Sequence, residues 1–159
     1  MQTNRYILLY ICTAVLSSLF LAGCNSNTAY NHYEHTPVAG WERNDTLFFD
    51  AGPIISSGQY VEEVGLRING EYPFTGLNLV VEQTVEPSHE RRSDTLCCSL
   101  ISEHGVAKGR GISNYQYIFH LTTLKLEQGD KLRVAVRHDM KREILPGIAD
   151  IGVRLTRME

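Results

Sequence analysis

The side chains that could perform acid–base or nucleophilic chemistry are scattered along this chain of 159 residues. His138 stands beside Asp139 and could form an aspartate–histidine pair, but no Gly-x-Ser-x-Gly elbow supplies a nucleophile for it. Glu62 and Glu63 are adjacent, so a strand would send their carboxyl groups to opposite faces, which is unsuitable for joint acid–base work. We therefore predict no catalytic residue and no enzymatic activity.

The paired cysteines and clustered histidines of the chain do not have the spacing of a disulfide or metal site. Cys97 and Cys98 are neighbours, with Cα atoms about 3.8 Å apart, whereas a disulfide usually needs roughly 4.4–6.8 Å. In a strand their side chains would point to opposite faces. The cluster from His32 to His35 lies in a polar segment, which does not supply the rigid surroundings that hold metal ligands. We predict no metal site, no cofactor and no disulfide framework.

Cys24 is the thiol with the clearest chemistry. Arg5 precedes an uncharged, largely apolar run from Tyr6 to Leu21, and Ala22-Gly23 then supplies small residues, which is the pattern of a secretory signal. The apolar run is shorter than the roughly 20 residues of a membrane-spanning helix. Leu21-Ala22-Gly23-Cys24 resembles the bacterial lipobox, in which the signal is cut before a cysteine that receives lipid. We predict that residues 1–23 are a cleaved signal peptide and that Cys24 carries acyl chains such as palmitate, which anchor the protein without spanning the membrane.

Composition excludes some classes of partner. The formal net charge is −3, and cleavage before Cys24 would remove Arg5 as the only charged residue, which leaves the mature chain slightly more acidic. A nucleic-acid-binding protein needs a clustered basic face, so no nucleic-acid partner is predicted. The hydrophobic content of 43% suffices for a buried core, and the length favours one domain.

Hydrophobic periodicity predicts the elements. Residues 24–40 are polar and are interpreted as a lipidated N-terminus and flexible tether. Residues 41–159 show apolar residues at alternate positions, which is the signature of strands with one buried face. The clearest alternating sets are Val64, Leu66 and Ile68; Leu77, Leu79 and Val81; Leu96, Cys98 and Leu100; Tyr115, Tyr117 and Phe119; Leu132, Val134 and Val136; and Ile151, Val153 and Leu155.

Seven or so strands at regular spacing predict an all-β fold, an antiparallel β-sandwich of the jelly-roll or immunoglobulin-like kind. One segment departs from the pattern. Met140, Ile144 and Ile148 have helical spacing, so a short helical turn is predicted there, stopped by Pro146-Gly147.

A series of short motifs follows the lipobox-like segment in a specific order. In that order they are Trp41; Arg67 and Asn69; Tyr72-Pro73-Phe74; Asn78-Leu79; Asp94; Gly105, Gly109 and Gly111; Met140; Leu145-Pro146-Gly147-Ile148; and Asp150-Ile151-Gly152. This order resembles that of the gliding motility-associated lipoprotein GldH family of Bacteroidetes. The resemblance covers nearly the whole mature chain, and it is the order of the motifs that is specific. It implies a non-catalytic lipoprotein that serves as a structural or assembly component of the gliding motility machinery or of associated secretion, with partners in the cell envelope.

Four residues are predicted to bind such partners. Tyr72 and Phe74 stand at a turn, where the alternative is that they cap the end of the sandwich. Arg110 lies with Lys108 in the glycine-rich loop, and Trp41 lies near a turn. Aromatic residues and arginine are enriched at the centres of interfaces. The alternative function is a lipid-anchored glycan-binding module in which Trp41 and Tyr72 stack on sugar rings.

Location and modification can also be predicted. Lipoproteins exported to the surface of these bacteria tend to carry acidic residues after the cysteine, and the segment Asn25-Ser26-Asn27-Thr28 has none. We therefore predict an outer-membrane anchor that faces the periplasm. Asp45-Thr46-Leu47 and Asp94-Thr95-Leu96 resemble O-glycosylation sites of the same bacteria, but they are interpreted as polar leads into strands.

Overall fold

The computed structural model describes residues 27–158, which form two four-stranded antiparallel sheets and one small two-stranded sheet. Among these residues, no helix has the length and apolar character needed to cross a membrane. The strands are β1 (Thr28–His35), β2 (Trp41–Glu42), β3 (Leu47–Ala51), β4 (Gly58–Asn69), β5 (Gly76–Glu86), β6 (Glu90–Ser99), β7 (Asn114–Leu126), β8 (Lys131–His138), β9 (Ile144–Leu145) and β10 (Ile148–Arg157).

The strand order is that of a jelly roll. The first sheet has the order β1-β10-β4-β7 and the second has the order β3-β8-β5-β6, while β2 pairs with β9. The eight long strands, which are all except β2 and β9, can be numbered one to eight in chain order. In that numbering the first sheet has the order 1-8-3-6 and the second has the order 2-7-4-5. This arrangement is the pair of Greek keys that defines a double-sheet jelly roll. The predicted all-β antiparallel sandwich is confirmed, and the jelly roll is the variant that forms.

The core lies between the two sheets and follows the predicted alternation. Val64 and Leu66 of β4 and Val134 and Val136 of β8 are completely buried. Tyr117 is also buried, as its place on the apolar face of β7 predicts. Each fully buried side chain of this size stabilises the fold by about 1.5–3 kcal/mol, and the alternation therefore fixes the register of each strand.

The prediction of a flexible tether over residues 24–40 was wrong for the segment that the structure describes. Thr28–His35 is strand β1, which pairs antiparallel with β10 at the edge of the first sheet. Its polar composition reflects an edge strand whose side chains are mostly exposed. Tyr30 nevertheless packs against the core, so residues 28–35 belong to the folded body together with the segment from Trp41 onward.

The helical turn predicted between Met140 and Ile148 was also wrong. Ile144–Leu145 is strand β9, and Gly147 turns the chain into β10 with a φ of 78°. A left-handed conformation favours glycine because other residues carry a Cβ. The spacing of three apolar residues suggested a helix, but pairing of Leu145 with Trp41 decided the structure.

The sandwich has two ends with different loops. At the N-terminal end, β1 and β4 begin, and β3, β7 and β10 finish, so that end carries the loop 52–57 and the turn 127–130. At the far end, β1 and β4 finish, and that end carries the β2–β9 pair, the connection 70–75 and the glycine-rich loop 100–113.

Candidate functional site at the far end of the sandwich

The four predicted partner-binding residues all lie toward the far end, but they differ in exposure. Trp41 is 0% exposed, and Tyr72 is 9% exposed. Phe74 is partly buried against the core, whereas Arg110 is exposed. The expectation that Trp41 and Tyr72 are surface aromatics was wrong, and with it the proposed stacking of these two rings on a sugar.

Trp41 and His138 form a buried pair beneath the β2–β9 sheet. Their rings meet edge to face with centroids 5.2 Å apart, and the indole Nε1 donates to the carbonyl of Asp45 at 2.9 Å. His138 Nδ1 accepts from the backbone N–H of Met140 at 3.4 Å, so the ring proton sits on Nε2 and is donated to the carbonyl of Trp41 at 3.1 Å. Burial lowers the pKa of His138, which keeps the imidazole neutral. No pair with Asp139 forms, and the histidine holds the loops together.

Tyr72 and Phe74 cap the far end from within. Their rings are 5.6 Å apart at a tilted, edge-like angle, and the Tyr72 hydroxyl donates to the carbonyl of Gly76 at 2.8 Å. A Cβ on Gly147 would lie 2.3 Å from the backbone nitrogen of Tyr72, so only glycine permits this contact. The Tyr72 side chain therefore fixes the turn before β5 and is not available to a partner as a free ring.

Arg110 is presented by a loop that is tied to β7. Backbone hydrogen bonds of 2.9 Å run both ways between Arg110 and Gln116, and Ile101 bridges to Ala107. Lys108 donates from its backbone N–H to the carbonyl of Leu100 at 2.9 Å, and its Nζ donates to Ser99 Oγ at 2.8 Å. The loop thus holds two cations in a defined place beside the edge strand.

These cations line a groove of about 620 Å³ that runs along β7, which we call the lateral groove. Neither Lys108 nor Arg110 forms an ion pair with an acidic side chain within residues 27–158. Arg154, by contrast, pairs with Glu63 at 2.6 Å. The groove is lined by Glu63, Ser99, Lys108, Arg110, Gln116, Tyr117, Ile118, Phe119 and Arg154.

Apolar side chains stand exposed around the groove and across the far end. Ile112 is 93% exposed in the glycine-rich loop, and Ile118 is 46% exposed on the outer face of β7. Val38 and Ile144 are exposed beside the β2–β9 pair. A groove that combines unpaired cations, aromatic edges and a partly apolar rim has the composition of a protein-binding surface.

The sequence indicated part of this surface. Lys108 and Arg110 were visible as cations in a loop bounded by glycines. Gln116, Phe119 and Arg154 were missed, because only the pairing of β10, β4 and β7 places them beside the loop. The alternation of polar and apolar residues along β7 and β10 was the one available signal.

Glu62 is a titratable residue that lies in the core and does not line the lateral groove. Its side chain is 0% exposed between the sheets, and burial raises its pKa to about 7. Gln83 Nε2 donates to Glu62 Oε2 at 3.1 Å and to Asp94 Oδ2 at 3.2 Å. Glu63 points to the opposite face, as predicted for adjacent residues of a strand. The two carboxyl groups therefore do not form a joint acid–base site.

Cys97 and Cys98 point to opposite faces of their strand, as predicted for adjacent residues. Cys97 is exposed, Cys98 is buried, and both are free thiols. Residues 27–158 contain no group of three or more histidine, cysteine, aspartate or glutamate side chains arranged to hold a metal ion. Cys24, the predicted site of lipidation, lies outside the described residues.

The fold and the surface define a jelly-roll domain with a candidate protein-binding groove. The family model described as GldH lipoprotein matches residues 28–155, which is nearly the whole jelly roll, and the chain belongs to this family of lipoproteins. The chain is 27% identical to the gliding motility lipoprotein GldH of Flavobacterium johnsoniae, over 91% of this chain and 94% of that one. It is 23% identical to a GldH homolog of Christiangramia forsetii, over 100% of this chain and 99% of the relative.

Among solved structures, a family GH115 4-O-methyl-alpha-glucuronidase superposes with a TM-score of 0.46 and 13% identity. The superposition covers 80% of this chain and 16% of that chain.

Proposed function

We propose that this protein is a lipid-anchored, non-catalytic component of the gliding motility machinery or of the secretion system linked to it, and that it acts by binding other envelope proteins. The observation that carries the proposal is the family match over residues 28–155, which includes all or most of every long strand of the jelly roll. The relatives that bear the gliding motility name align over nearly their full lengths.

The anchor is proposed to be lipid on Cys24 in the outer membrane, with the jelly roll in the periplasm. The apolar run before Leu21-Ala22-Gly23-Cys24 supports cleavage and lipidation at that cysteine. The absence of acidic residues in Asn25-Ser26 supports retention on the periplasmic side. Replacement of Cys24 by Ala should release the protein from the membrane fraction, and protease added to whole cells should leave the wild-type jelly roll intact. Digestion of the domain in whole cells would contradict the periplasmic orientation.

The binding surface is proposed to be the lateral groove. Lys108 and Arg110 offer charge without an acidic partner in the described part of the chain, and the exposed side chain of Ile118, which also lines the groove, adds apolar area. Because Trp41 and Tyr72 are buried, they contribute by holding the loops and not by touching a partner. Arg110 remains a predicted contact residue, and Phe74 is expected to contribute at most its exposed edge.

The groove is tested with a charge reversal in the native bacterium. Replacing Lys108 and Arg110 by Glu should lower the spreading of colonies and the yield of crosslinks from the lipoprotein to motility proteins. The stability of the domain should change little, because both side chains are at the surface. Replacement of Lys141 and Arg142 by Glu is the matched control, because it reverses the same number of charges on two exposed side chains that do not line the groove. Equal spreading of both variants would remove the groove from the mechanism, and normal spreading without the gene would contradict the motility role.

A further inference from the structure

The chain is short between the predicted lipidation site and the first strand. Three residue steps separate Cys24 from Asn27, and an extended chain spans at most about 3.6 Å per residue, so the two Cα atoms are within roughly 11 Å. Asn27 is itself held, because its carbonyl accepts from the backbone N–H of Arg157 at 2.8 Å. Once Cys24 is in the membrane, the N-terminal end of the sandwich has no room to move far from it.

An apolar side chain projects from the loop 52–57 at this end. Ile55 is 84% exposed, although its neighbour Ile54 is buried in the core. Backbone hydrogen bonds of 2.8 Å tie Ile54 to Asp130 and Gly129 on the adjacent turn. The hydroxyl of Tyr60 donates to the carbonyl of Ser56 at 2.6 Å. The backbone of the loop is therefore held on both sides of Ile55, which fixes the place on the surface where this side chain is exposed.

Ile55 also lies beside the point where the chain enters β1. A cavity of about 440 Å³ is lined by Asn27, Tyr30, Ile55 and Arg157 among other residues. Met158, which is 50% exposed, follows Arg157 at the same end. The anchor point and the displayed apolar side chains thus share one end of the molecule, while Ile112 and the lateral groove lie toward the other.

We infer that the N-terminal end of the sandwich is a membrane-contact surface, with Ile55 inserted among the lipid headgroups and upper acyl chains and Met158 beside it. The inference rests on the proposed lipidation of Cys24. The charged side chains nearby, Arg157, Lys125 and Lys131 against Glu127 and Asp130, have both signs, so the contact is apolar more than electrostatic. With this end on the lipid, the far end points away from the membrane and toward envelope partners.

The test uses the lipidated full-length product in vesicles of phosphatidylethanolamine and phosphatidylglycerol. A Cys97→Ser background removes the exposed thiol, while Cys98 stays unreactive because burial raises its pKa to about 12. Ile55→Cys, or Ile112→Cys as the matched control, is labelled with a polarity-sensitive fluorophore. Phosphatidylcholine with a spin label on its acyl chain then serves as the quencher.

We expect a several-fold loss of fluorescence at position 55 and little loss at position 112, which is 93% exposed toward the far end. Equal, weak quenching at both positions would show that this end does not touch the lipid, and equal, strong quenching would show that the molecule lies on its side. Either result overturns the inference. Intact mass of the same preparation separates the two proposals, because a protein without lipid on Cys24 defeats the anchor, whereas a lipidated protein without quenching defeats only the orientation.

Discussion

At the scale of single residues, Glu62 places a carboxyl group in the apolar core between the two sheets. The carboxyl group is completely buried and has one hydrogen bond, from Gln83, while its Oε1 has no partner within residues 27–158. Period-two alternation did place position 62 on the same face as Val64 and Leu66, so its burial was predictable from the sequence. The extent of its pKa shift was not, because the shift depends chiefly on how completely the opposite sheet covers the carboxyl group, and then on Gln83 and Asp94 of that sheet.

The raised pKa of Glu62 makes the stability of the fold fall as pH rises. The group has a pKa of 4.5 as an ordinary residue and about 7 in the folded protein, chiefly through burial. Its protonated form is therefore favoured by folding, and that contribution is complete below pH 4.5 and lost between pH 4.5 and 7. The loss amounts to about 3 kcal/mol, since each pKa unit corresponds to about 1.4 kcal/mol. Replacement by Gln removes the titration and keeps the shape.

Urea unfolding of the wild type and Glu62→Gln at several pH values measures this effect. The free energy of unfolding of the variant, relative to the wild type, should increase by about 3 kcal/mol from pH 4.5 to 7 and then level off. Glu63→Gln is the control, because that carboxyl lies on the outer face and pairs with Arg154. A difference between Glu62→Gln and wild type that stays constant with pH would show that Glu62 does not titrate in this range.

At the scale of elements, the sequence predicted the strands with clear alternation and failed where a strand is polar. β4, β5, β7, β8 and β10 were visible because each buries one apolar face. β1 was taken for a tether because its main anchor, Tyr33, lies on the outer face and packs on glycines that are distant in sequence. Likewise, Arg110 could be assigned to a surface loop, but the burial of Trp41 depends on its pairing with Leu145. Periodicity along the sequence reports the two faces of one strand, and it does not report which distant strand will pair with it.

The ring of Tyr33 packs against two glycines of the neighbouring strands, Gly152 and Gly65, which together are called the glycine floor. Tyr33 pairs with Gly152, and Gly152 pairs with Gly65. A Cβ on Gly152 would come within 2.6 Å of the Tyr33 ring, and one on Gly65 within 2.3 Å of its hydroxyl. The guanidinium of Arg67 covers the ring at 4.2 Å, and Gln116 donates to its hydroxyl at 3.3 Å. The ring thereby fastens the edge strand β1 to the sheet.

A double-mutant cycle tests this attachment of β1. Gly152→Ala should destabilise the wild type by about 1 kcal/mol, because the methyl group displaces the ring from its floor and from Arg67. In a Tyr33→Ala background the same change should be neutral or stabilising by up to about 1 kcal/mol, because alanine loses less backbone entropy than glycine in a strand. Chemical denaturation of the four proteins gives the coupling free energy. Equal effects of Gly152→Ala in both backgrounds would show that Tyr33 does not use the glycine floor.

At the scale of the whole molecule, the jelly roll separates two surfaces by the length of its strands. The N-terminal end carries the entry of the chain at Asn27 and the displayed Ile55, and the far end carries the glycine-rich loop with Arg110. A strand of about 12 residues, such as Gly58–Asn69, spans roughly 40 Å, so in the proposed orientation the rigid body would fix how far Arg110 stands from the membrane. In that proposal, the distance also depends on the length of the connection to Cys24.

Lengthening the segment between Cys24 and Asn27 should therefore leave the proposed lipid anchor intact while it abolishes the fixed orientation of the domain on the membrane. A flexible Gly-Ser segment of about 12 residues inserted between Ser26 and Asn27 adds a root-mean-square reach of roughly 20 Å. Lipidation and the thermal midpoint should be unchanged, because the insertion precedes β1. Quenching of a fluorophore at position 55 by acyl-chain spin labels should fall severalfold, because the short connection no longer holds that end on the lipid. An insertion variant that keeps full quenching at position 55 would show instead that Ile55 and Met158 bind the bilayer by their own affinity, without help from the short connection.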